Sequence, residues 1–219
     1  YVLTDKLEID PARINLPKIS AGEVDGVGVT GGYLLRADGS DPEKYYWTTD
    51  HGSPEGDGSF LMVEEPKAAK LPQAQRDYIR TYVQQMENAL YADHESGWAT
   101  RNYLDYLDRP SWVDYHLINT FVKNTDAFWR STYFTKDRDG RIFAGPVWDY
   151  DRSMDSTDPR DDHWDTWEPT RYTAQGFAAL CAVSRSPLDP LAASAGALRA
   201  QLIEAHPRLR AFAEALCRA

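Results

Sequence analysis

The period of the apolar positions changes along this chain. Over residues 1–9, 33–37 and 60–63, short runs of apolar and aromatic residues are separated by Gly, Pro and Asp clusters, the usual punctuation of strands and turns. Residues 50–58, rich in Gly, Asp and Ser, read as a long polar loop. From 72 to 91 the period becomes helical. Tyr78, Ile79, Tyr82, Val83, Met86, Ala89 and Leu90 recur at three- and four-residue spacing behind Pro72, a residue suited to a first helical turn. A second helix is expected from Ser111 to near Lys123: Ser111 and Asp114 have capping-box spacing, and Tyr115, Leu117, Ile118, Phe121 and Val122 form the apolar stripe. Two β-prone runs, 131–136 and 141–148, then flank Asp137-Arg138-Asp139-Gly140, which predicts a hairpin. Trp112, Trp129, Trp148 and the helix tyrosines read as core. Beyond Asp165, Ala, Leu, Arg and Pro dominate and the stripe loosens, leaving one or two helices expected around 198–216.

Composition narrows the function classes. The chain has 219 residues, enough for one ordinary domain or two half-size ones, and 42% apolar with 26% charged residues is a folded composition. Acidic side chains outnumber basic ones 34 to 24, for a formal charge of −10, and no Lys/Arg run interrupts the excess. Such a surface repels nucleic-acid backbones and anionic membranes, so neither is expected as a partner. No window reaches the roughly 18 apolar residues of a membrane span. The chain opens on Tyr1 instead of Met, so its true start and any targeting segment are expected upstream. Two cysteines, Cys181 and Cys217, in no CxxC pairing exclude a disulfide framework or a zinc knuckle, and the five histidines have no HExxH spacing.

The chemistry is expected at the open end of the hairpin. Asp126 lies just before the outgoing strand and Asp149 just after the returning one, so folding about Asp139-Gly140 makes neighbours of two distant acids. Asp151 follows Asp149 at strand alternation, and seven aspartates fall between 149 and 165. Clustered carboxylates repel one another or take up a cation, and hard oxygen ligands suit Mg²⁺, Mn²⁺ or Ca²⁺. Asp155, Asp158, Asp161, Asp162 and Asp165 read instead as solvated turn residues.

These residues carry a resemblance. Asn124-Thr125-Asp126, then Ser131-Thr132-Tyr133-Phe134 and Lys136-Asp137-Arg138-Asp139-Gly140, lead into Gly145-Pro146-Val147-Trp148-Asp149-Tyr150-Asp151. This text resembles the CotH kinase family, atypical kinase-like proteins named for a spore-coat protein. Supporting matches extend it over roughly 1–155. The resemblance implies an α+β, divergent protein-kinase-like fold, with a β-rich N-terminal part whose first strands lie upstream and a helical C-terminal part carrying a catalytic β-hairpin. The kinase domain is drawn at 1–165, with 166–219 a divergent helical tail. The implied activity is ATP-dependent phosphotransfer to a protein hydroxyl with Mg²⁺ or Mn²⁺, acting on a coat or cell-surface protein in an extracellular, cell-surface or spore-coat setting. By the same resemblance Asp126 matches the catalytic-loop aspartate and Asp149 the metal-binding aspartate, with Asp151 and Asn124 as further ligand candidates. A typical kinase loop has a metal-binding Asn five residues after its Asp; here Ser131 stands there. For the phosphates, the candidates are Lys6, at the end of an expected strand, and the glycine pattern Gly26-x-Gly28-x-x-Gly31, with Gly28 and Gly31 in contact.

Two other classes compete. Asp149-Tyr150-Asp151 imitates the DxD motif of haloacid-dehalogenase-like phosphatases, but these need a parallel α/β domain downstream, and only 68 residues follow Asp151. A non-catalytic pseudokinase, or a Ca²⁺-stabilised surface or spore-coat binding protein, is the alternative favoured by the missing Asn.

Overall fold

The structure is a computed structural model and describes residues 6–50, 60–96, 99–127, 130–154, 156 and 157. Five antiparallel strands form one sheet in the order β2-β3-β1-β4-β5. They are β1 (Tyr33–Asp38), β2 (Tyr45–Trp47), β3 (Phe60–Glu65), β4 (Thr132–Lys136) and β5 (Ile142–Ala144). Among the described residues, two α-helices, α1 (Gln73–Glu95) and α2 (Arg109–Phe121), complete an α+β architecture.

The expected strands at 33 and 60 form and pair with each other, Ala37 opposite Leu61. The strand expected over 1–9 does not continue through its described part, where only a parallel bridge links Ile9 to Ile14. The hairpin forms about the predicted turn, but its return strand ends at Ala144, because Gly145 takes φ 124° and the chain leaves the sheet. Helix α1 runs past the expected end at 91. Helix α2 starts two residues before Ser111, since the carboxylate of Asp108 accepts from Ser111 N (3.0 Å) and caps the helix first. Residues 51–59, Trp129, the five solvated aspartates and the 198–216 helices lie outside the described residues.

The two faces of the sheet are covered differently. Tyr33, Leu35, Ala37, Phe134 and Ala144 face α1 and α2, where Ile79, Val83, Met86, Leu90 and Trp112 complete the main core. Trp112 stacks on Phe134 at 5.1 Å. On the opposite face, Leu34 and Tyr133 are covered by Leu7, Ile9, Ile14, Leu16 and Trp148. With both faces buried, β4 has no exposed residue. The outer edge of β5 is sealed by the segment entering α2: Asp108 N donates to Ile142 O, and Ile142 N donates to Tyr106 O.

Candidate functional site

The loop carrying Asp126 is fixed by the way α2 ends. Lys123 takes the left-handed conformation (φ 57°), and Asn124 N donates back to Asn119 O at 3.0 Å, the six-to-one bond of a Schellman stop. The chain therefore turns sharply out of the helix. Asn124 is buried and uses both ends of its amide there: Nδ2 donates to Asn119 Oδ1 (2.9 Å), and Oδ1 accepts from Asp126 N (3.2 Å). Arg130 N then donates to Asp126 O, just before Ser131 and the start of β4.

The segment after the returning strand meets this loop twice. Ser131 Oγ donates to Asp149 Oδ2 at 2.9 Å, and Thr125 N and Oγ1 both donate to Arg152 O at 3.3 Å. Ser131 and Asp149 both carry left-handed backbones, with φ 46° and 62°. Non-glycine residues in that region are held by their surroundings and recur at functional sites. Arg152 Nη1 lies 3.7 Å from Asp126 Oδ1, and the Asp126 side chain is 15% exposed. Asp149 and Asp151 are exposed. Between them Tyr150 turns inward, and burial pushes its hydroxyl well above the usual tyrosine range, with Tyr115 adding to the rise and Asn119 opposing it. Asn119 thus stands against both the Asp126 loop and the Asp149 segment.

Asn124, Asp126 and Asp149 are therefore tied into one loop junction through Ser131, Thr125 and Arg152, with Asp151 exposed beside Arg152. Among the described residues, no group of three or more His, Cys, Asp or Glu side chains is assembled to hold a metal. The segments that meet here carry two carboxylates and a serine hydroxyl, hard oxygens of the kind Mg²⁺ takes when one or two carboxylates hold it together with substrate phosphates.

The phosphate candidates fall elsewhere. Gly28 and Gly31 belong to the other, closed end of the hairpin. A Cβ on Gly31 would lie 2.1 Å from Arg138 N, so this glycine exists to let two backbones touch. Thr30 Oγ1 accepts from Asp139 N (2.9 Å), and Gly32 N donates to Lys136 O (2.8 Å). The length of β4, about 13 Å at strand rise, separates this turn from Ser131 and Asp149. Gly28 and Gly31 thus stand at the end of β4 away from Asp149, and Gly31 there serves backbone packing. Lys6 is 72% exposed and pairs with Glu8, while its neighbour Leu7 joins the cluster containing Trp148.

Lys136 was not singled out by sequence, because a strand-end lysine reads as solvated. It is 1% exposed, and its ammonium donates to Thr30 O (2.7 Å) and Asp137 O (3.0 Å) and sits 4.6 Å from the Tyr82 ring centre. Burial lowers its pKa to about 8, against the opposing pull of Asp139 and Asp137. It lines a groove of about 860 Å³ with Tyr78, Tyr82, Asp139, Arg141 and Phe143, a groove that includes neither Asp126 nor Asp149. Arg152 and Tyr150 were also missed; their only sequence signal is adjacency to Asp151.

A family model described as CotH kinase protein matches residues 10–185, which includes both ends of the hairpin and continues past Asp165. No curated protein and no solved structure matches the chain significantly.

Proposed function

The chain belongs to the CotH kinase family, and from that premise we propose that it transfers the γ-phosphate of ATP to a protein hydroxyl at the Asp126 and Asp149 end of the hairpin. The observation that carries the reading is the Ser131–Asp149 hydrogen bond, which joins the residue five after Asp126 to the acid that follows the return strand. In kinases generally, the catalytic loop and the metal-binding aspartate meet across such a hairpin. In this reading Asp126 accepts a hydrogen bond from the acceptor hydroxyl and orients it for in-line attack. Asp149, aligned by Ser131, and Asp126 hold the divalent ion with the nucleotide phosphates. The ion, when bound, neutralises charge developing on the transferred group. Asp151, exposed two residues on, is a further ligand candidate. Asn124 acts in this arrangement by fixing the Asp126 backbone.

A Ca²⁺-stabilised binder would draw six to eight oxygens around its ion, whereas the two carboxylates and one hydroxyl that the described residues bring to this junction suit Mg²⁺ completed by nucleotide phosphates. A coat or cell-surface protein as acceptor, and a location to match, follow from the family's association and stand as part of this proposal. Among the described residues no helix is long and apolar enough to cross a membrane. Thermal melting tests the reading: Mg²⁺ with ATP raises Tm by several degrees in the wild type and not in Asp149→Asn. A shift with Ca²⁺ alone, unaltered by ATP, would instead favour the binder.

A further inference from the structure

One buried side chain serves both acid-bearing segments without being an acid itself. Asn119 stands in the last turn of α2, one helical turn after Tyr115 on the face that α2 buries, and is 1% exposed. An apolar side chain would fill that place without the cost of burying an amide, and Asn is a poor residue for a helix interior. The amide is used instead. Nδ2 donates to Tyr115 O at 2.8 Å, which fixes the side chain against its own helix, and Oδ1 accepts from Asn124 Nδ2 at 2.9 Å. Asn124 Oδ1 in turn holds Asp126 N at 3.2 Å, so two amides in series carry the position of α2 to the backbone of Asp126. On the other side lies Tyr150, the residue between Asp149 and Asp151. Its hydroxyl is buried with no hydrogen-bond partner; burial raises its pKa, and Asn119 beside it opposes the rise. Nδ2 keeps a second hydrogen, and the Tyr150 oxygen is an acceptor within the same pocket of side chains.

We propose that Asn119 is a positioning residue for phosphotransfer: holding Asn124 on one side and seated against Tyr150 on the other, it sets the placement of Asp126 relative to the segment that bears Asp149. The assignment rests on the phosphotransfer reading of this end of the hairpin, and Asn119 itself touches no substrate. Single-turnover rates at saturating Mg-ATP, measured well below Tm on the wild type, Asn119→Ala, Asp126→Asn and the double variant, decide the point. Asn119→Ala lowers the rate about 10-fold or more in the wild-type background and less than about twofold in the Asp126→Asn background, where no Asp126 carboxylate is left to misplace. An asparagine with a structural role alone would cost the same factor in both. Should Asn119→Ala not fold, Asn119→Asp is read instead. It keeps the acceptor for Asn124 but donates to Tyr115 O only when protonated, so its rate relative to wild type falls as pH rises through the pKa of that carboxyl, which burial raises. A ratio that is flat with pH, equal losses in the two backgrounds, or a wild-type rate in folded Asn119→Ala overturns this inference and leaves the phosphotransfer reading standing. Absence of Mg-ATP-dependent transfer by the wild type overturns both.

Discussion

Ser131 holds Asp149 in a backbone conformation that few residues tolerate, and it must adopt the same conformation itself. Two requirements follow for position 131: tolerance of positive φ and a donor for the carboxylate. Asn meets both, whereas Ala meets neither. Ser131→Asn should therefore retain phosphotransfer within a few-fold, while Ser131→Ala loses about 10-fold through misorientation of Asp149; single-turnover rates at saturating Mg-ATP check the pair. Lys136 presents a different residue-scale test. Its folded pKa, about 8, lies below its ordinary 10.5, so between those values the unfolded chain binds the extra proton and stability rises with pH. The penalty of burying the ammonium is full below pH 8 and gone above 10.5, a change of about 3 kcal/mol at 1.36 per unit. Denaturant unfolding at pH 7.5 and 10.5 should give that rise in the wild type relative to Lys136→Met, a comparison that cancels the buried tyrosines. A pH-independent difference between the two proteins would contradict it.

At the scale of elements, the closed end of the hairpin is a packing junction. Gly31 presses on the Asp137–Arg138 backbone, whereas a Cβ at Gly28 meets only the Glu23 side chain, at 3.0 Å or more. Gly31→Ala should thus destabilise by about 3 kcal/mol or more, and Gly28→Ala by much less, with no change in ATP affinity for Gly28→Ala; a large loss of ATP binding there would restore the glycine pattern as a phosphate loop. The same junction explains what was legible in the sequence. Strands β1, β3 and β4 and helix α1 were readable because their apolar periods match the faces they bury. Strand β2 was not, since Tyr45-Tyr46-Trp47 is too short to show a period. The start of α2 was displaced because Asp108, outside the apolar stripe, reaches Ser111 N first. Spacing alone cannot tell a glycine that admits a phosphate from one that, like Gly31, admits another backbone.

Over the whole molecule, β4 and β5 join two sites of opposite character: a buried-lysine groove at the turn and an acid-bearing junction at the open end. That Asp126 and Asp149 share an end was legible, because hairpin topology alone imposes it. Their supports were not: Asn119, Tyr150 and Arg152 act through contacts between segments about 30 residues apart in sequence, a separation no local pattern encodes. The central claim, that the open end performs phosphotransfer, is tested most directly by following labelled γ-phosphate from Mg-ATP into protein acceptors, with the wild type and Asp149→Asn compared at equal Tm. Asn keeps the left-handed backbone and can still accept from Ser131, so the fold should survive. The account predicts Mg²⁺-dependent labelling by the wild type and a loss of about 100-fold or more in the variant. Transfer by Asp149→Asn at the wild-type rate, or ATP binding by the wild type with no transfer to any acceptor, would contradict it.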